Sequence, residues 1–67
     1  MNALQTKIAS QGTATLKVTL NALDAQITSA TVNDLDSALM VRKYLLQELE
    51  VRDLAFVAAW YDKKVVA

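Results

Sequence analysis

The chain of 67 residues has no cysteine, no histidine, no proline and one glycine, Gly12. Without cysteine there are no disulfides and no thiolate metal sites. Without histidine, the commonest transition-metal ligand and the commonest general base are missing. Aromatic residues make up 6%, and neither sign of charge dominates: 7 Lys and Arg stand against 7 Asp and Glu. A zero balance supplies no general attraction to nucleic acid or to an anionic membrane, and little repulsion against association. Long apolar runs are also absent. The longest, Leu54 to Tyr61, has eight residues, where crossing a bilayer takes about 20. The opening MNALQTKIAS lacks the charged region, apolar stretch and cleavage site of a leader. The expectation is a soluble protein, cytoplasmic by default or carried in a virion, with no membrane partner.

What is present is apolar. Such residues form 54% of the chain, mostly Ala, Leu and Val. This excludes a disordered tail. The length allows a single domain spanning 1–67. A domain this small buries only about 60% of its unfolded surface. It therefore needs help from disulfides, a metal or oligomerisation, and only the last is left.

The two halves differ. Residues 1–33 carry three charges, Lys7, Lys17 and Asp24, and five of the six threonines lie between Thr13 and Thr31. The remaining eleven charges and all four aromatics follow. Residues 2–10 predict a short helix with Leu4 and Ile8 on one face, ended by Gly12. Residues 13–30 have two readings. Leu16, Leu20, Leu23, Ile27 and Ala30 step by four and three, as in a helix with Thr13 near its N-cap. Leu16, Val18 and Leu20 also alternate, as do Leu23, Ala25 and Ile27, which suits a hairpin over 13–29 turning at Asn21-Ala22. That turn lacks the glycine such a hairpin wants, so the helix is preferred.

Residues 34–64 predict one long helix. Asn33 is a good N-cap, Asp34 and Asp36 sit in the first turn, and Lys63 and Lys64 in the last, all suited to the macrodipole. Glu48 and Arg52 form an i,i+4 pair. Thirty-one residues span about 46 Å, whereas a compact chain of this size has a radius of gyration near 11 Å. A second stripe, Val41, Tyr44, Val51, Ala55 and Ala58, runs down the back. A helix apolar on two sides is buried on two sides. The predicted fold is all-α, a helical hairpin or small bundle with a long C-terminal helix. The alternative is α+β, with the hairpin packed on that helix.

The candidate interface follows from the long helix. Leu35, Leu39, Arg42, Leu46, Leu49, Asp53, Phe56 and Trp60 repeat with coiled-coil spacing. Antiparallel to a second copy, Arg42 falls opposite Asp53, Leu35 opposite Trp60, Leu39 opposite Phe56 and Leu46 opposite Leu49. Lys43 then approaches Glu50 of the other copy. An unpaired buried charge costs several kcal/mol, so the pair would select direction and register. Arg42 at the rim of an intramolecular core, with Asp53 facing water, is the alternative. Phe56, Trp60 and Tyr61 form an aromatic cluster of the kind enriched in binding hot spots, or ordinary core.

Catalysis is poorly provided for. Asp34 and Asp36 point to different faces of a helix, as do Glu48 and Glu50. Ser10, Ser29 and Ser37 have no histidine to activate them. The basic pairs Arg42-Lys43 and Lys63-Lys64 lie about 30 Å apart along the helix, too scattered for a phosphate-binding face. The expectation is a non-enzyme with no cofactor, no metal and no nucleic acid. The segment ITSATVNDL, followed by a helix containing QELE, resembles the strand-to-helix passage of small phage head–tail joining proteins over about a third of the chain. That resemblance implies a virion or assembly subunit. The expected function is a non-catalytic assembly protein, such as a phage structural subunit, that self-associates as an antiparallel homo-oligomer. The alternative is a small regulator that binds one partner protein through the aromatic end of the helix.

Overall fold

The computed structural model describes residues 2–66. They form four helices: α1 (Ala3–Ala9), α2 (Thr13–Thr28), α3 (Leu35–Arg52) and α4 (Leu54–Val66). Their lengths of 7, 16, 18 and 13 residues make about four-fifths of the chain helical. No strand occurs among the described residues. The fold is the expected all-α bundle, and the hairpin alternative for 13–29 is not formed. In that segment the four-three spacing of the leucines outweighs the β preference of Thr and Val. Ile27 and Thr28 close α2, so the strand implied by the head–tail joining resemblance is not there either.

Local chemistry sets most of the boundaries. Asn2 caps α1 in a reciprocal box with Gln5: its Oδ1 accepts from the Gln5 amide at 2.8 Å, and its own amide donates to Gln5 Oε1 at 2.9 Å. Gly12 precedes α2 without a side-chain cap. After Thr28 the chain leaves the helix through Ala30, the one non-glycine residue with positive φ among the described residues, at 58°. The Thr31 amide donates to the Gln26 carbonyl at 3.0 Å and the Ala30 amide to that of Ile27 at 3.2 Å. This is a Schellman closure with alanine at the position that usually holds glycine. Asp34 rather than Asn33 caps α3, accepting from the Ser37 amide at 3.2 Å and the Ser37 hydroxyl at 2.8 Å.

The expected single helix over 34–64 is two helices. The break falls at Asp53, with φ −152° and ψ 79°. Together α3 and α4 would reach about 48 Å if straight, but the molecule measures 29 × 29 × 17 Å. It accommodates them by folding α4 back on α3. The radius of gyration is 11.8 Å.

α3 is the hub, and α1, α2 and α4 all pack against it. The core joins Ile8, Leu16, Leu20, Leu45, Leu46, Leu49 and Val57, flanked by Leu4, Leu23, Val41, Tyr44, Phe56 and Trp60. α3 is therefore apolar on two sides because different neighbours cover each. The back stripe holds for Val41 and Tyr44 but fails from Val51 onward, where Val51, Ala55 and Ala58 are exposed. The second side of α3 is half-covered by the same chain at Val41 and Tyr44 and left open at Val51.

Candidate functional site

Asp53 serves both helices that it separates. Its amide donates to the Leu49 carbonyl at 2.7 Å, ending α3, and its Oδ1 accepts from the Phe56 amide at 3.1 Å, capping α4. Its other oxygen takes the Lys17 ammonium of α2 at 2.8 Å. That ammonium also lies 4.8 Å from the centre of the Phe56 ring. Thus the bend is tied to α2 by one charge and one ring.

A second cluster holds the far half of α4. Asp24 of α2 accepts from Arg42 Nη1 of α3 at 3.0 Å and pairs with Lys64 of α4. Its side chain is only 14% exposed, so two cations sharing it make the placement comfortable. Arg42 lies 5.9 Å and Lys64 5.2 Å from the Trp60 ring, within cation–π reach. Tyr61 meets Trp60 edge to face, with ring centres 5.2 Å apart.

Two grooves flank α4 and meet at Trp60. One, of about 410 Å³, runs between α3 and α4 and is lined by Leu39, Arg42, Lys43, Leu46, Gln47, Glu50, Trp60 and Tyr61. The other, of about 430 Å³, lies between α2 and α4, with Phe56, Ala59 and Trp60 as its apolar wall and Asn21, Asp24, Lys63 and Lys64 around it.

The nine expected interface residues separate into three sets. Leu39, Arg42, Leu46, Trp60 and Tyr61 come together along the α3–α4 groove. Leu35 is exposed one turn before Leu39 on the same face of α3. Leu49 is fully buried in the core of its own chain, and Leu46 nearly so. Asp53 and Phe56 sit at the bend and bind Lys17. Arg42 and Asp53, expected to face each other across two copies, are both paired within the chain instead. The break at Asp53 ends the straight seam on which that register depended. Lys17, Asp24 and Lys64 were not among the expected site residues. A signal for the first two existed: they are the only charges of α2, seven residues apart and hence on one face.

Hydrogen bonding gives the bend an acid dependence. The Lys17 ammonium first, then the Phe56 amide, holds the Asp53 carboxyl below its ordinary range. Asp34 is lowered in the same direction by the Ser37 hydroxyl and then the Ser37 amide. A carboxylate with a depressed folded-state pKa stabilises fully above its unfolded-state value, near pH 4, and loses that contribution as pH falls through the folded value. Thermal stability is therefore expected to fall below about pH 4 through these two groups. Asp53→Asn should flatten the Asp53 part of the slope, because asparagine still caps a helix but does not titrate. Melting curves between pH 6 and pH 2 check this; an unchanged slope in Asp53→Asn would exclude Asp53 as a contributor.

Among the described residues no group of acids is arranged to hold a metal ion, and no helix is long and apolar enough to cross a membrane. Comparisons with protein-family models, curated proteins and solved structures find no match for this chain.

Proposed function

We propose that this is a non-catalytic assembly protein that binds a second copy of itself through the α3–α4 face. The observation that carries the proposal is the groove lined by Leu39, Trp60 and Tyr61, with Leu35 exposed one turn before Leu39 on α3. Leu35 is 51% exposed and Tyr61 50%, so both present apolar area to solvent on this face. Lys43 and Glu50 line the same groove with opposite charge, which suits a copy arriving in antiparallel orientation. The zero net charge puts no long-range repulsion in the way.

The second reading is a regulator that engages another protein. Its support is the α2–α4 groove, whose wall presents Phe56 and Trp60 beside Lys63 and Lys64. Aromatic anchors with a charged rim are the usual anatomy of such a contact.

Sedimentation separates the two. Leu35→Lys combined with Tyr61→Lys places charge at exposed positions, so helix content should stay unchanged. The dissociation constant of the self-complex should rise at least tenfold, since truncating an interface anchor costs more than about 1.4 kcal/mol. A parent protein that remains monomeric at every concentration would count against self-association and leave the regulator reading.

A further inference from the structure

We infer that α4 exchanges between two copies of the chain, with the bend at Asp53 opening into one continuous helix. This rests on the self-association proposed above and specifies how the copies join. Three observations carry it. The connection between α3 and α4 is the single residue Asp53, with neither Gly nor Pro from Asn33 onward. Short connections of this kind favour exchange of an element between protomers. Second, the bend interrupts the helical ladder. The amides of Leu54, Ala55 and Phe56 open a new first turn, where only Phe56 receives the Asp53 cap. In an unbroken helix they would reach the carbonyls of Glu50, Val51 and Arg52. Third, the charged and aromatic contacts that α4 makes with other helices among the described residues are with side chains of α2 and α3. Val57 in the core, the Asp24–Lys64 pair and the Arg42–Trp60 contact can all re-form with the α4 of a second copy. Exchange thus keeps the packing and changes the hinge.

The register of the exchanged dimer follows from the closed chain. Arg42 faces Trp60, so two antiparallel helices would cross at residue 51, with Leu45 of one near Val57 of the other. This differs from the seam expected from periodicity, which is centred between Gln47 and Glu48 and sets Arg42 against Asp53. Each helix from Leu35 to Val66 would be about 48 Å long, far beyond the 29 Å of the closed chain.

Two hinge variants of the full chain test the inference. Asp53→Ala removes the cap and the Lys17 pair, which favour the bend, and supplies the best helix former. It should lower the dimer dissociation constant about tenfold and lengthen the particle in small-angle scattering. Inserting five Gly and Ser residues after Asp53 forbids the continuous helix while letting α4 fold back. It should give a monomer with the parent's helix content, and this second variant keeps the test decisive if Asp53→Ala merely unfolds. A parent dimer insensitive to the insertion but broken by Leu35→Lys with Tyr61→Lys would overturn exchange and keep surface association. A parent and an Asp53→Ala variant that are both folded and monomeric would overturn both.

Discussion

Leu49→Ala is expected to cost about 3 kcal/mol, within the range for removing a leucine side chain from a packed core. Leu49 has no exposed surface and lies in the cluster where α2, α3 and α4 meet. Folded domains hold roughly 0.05–0.15 kcal/mol per residue, so a chain of 67 residues has few such losses to spare. The melting temperature should fall by about 12–24 °C. Val51→Ala, two positions along the same helix but 85% exposed, should change stability by less than about 0.5 kcal/mol. The concentration dependence makes the comparison sharper. If Leu49 belonged to an interface between copies, its loss would matter mainly at low protein concentration. Measured on the closed monomer, whose core is formed by one chain, the loss should appear equally across a hundredfold dilution. Thermal denaturation followed by circular dichroism reads both quantities.

Arg52→Ala is the second large effect. The guanidinium at the end of α3 donates to the carbonyls of Gln11 at 2.7 Å and Ala9 at 2.9 Å, and to Glu48 at 2.9 Å. It therefore closes the C-terminal end of α1 and pins the α1–α2 turn to α3. A cation at that end also suits the helix dipole. Removing it leaves carbonyls without their charged donor, for a loss of about 2 kcal/mol. α1 has only 7 residues, too few to persist without tertiary support. Amide exchange in α1 should accelerate more than exchange in α2. Arg52→Lys should recover only part of the loss, because an ammonium lacks the planar fork that reaches three acceptors. Glu48→Gln should cost under about 1 kcal/mol, since the pair is partly solvated and the carbonyl bonds remain. Uniform acceleration across all helices in Arg52→Ala would contradict this local role.

Periodicity made the helices legible. The leucine spacing of α2 was decisive over its threonines, and the expected caps Thr13 and Asn33 each fall one residue from the observed Gly12 and Asp34. The break at Asp53 was not legible. The four-three repeat runs through it without Gly or Pro, and Phe56 stands where a capping box would put Glu or Gln. What bends the chain is a tertiary demand: α4 must return to bury Val57 and half-bury Phe56 and Trp60 against α2 and α3. The site was less legible. The repeat set Arg42, Asp53 and Trp60 on one seam, whereas Arg42 and Trp60 meet beside Asp24 and Lys64, and Asp53 lies apart at the bend with Lys17 and Phe56. Their partners Lys17 and Asp24 lie on α2. Spacing along one helix carries no information about which charge on another will come near.

Trp60 is the only tryptophan in the chain. It sits on α4 with two cations close to its ring and two grooves opening on either side. The polypeptide consequently carries its own optical gauge. Lifting α4 takes the indole away from Arg42, and filling either cleft dries its surroundings, so the colour and quenching of its emission should register each event without any attached dye.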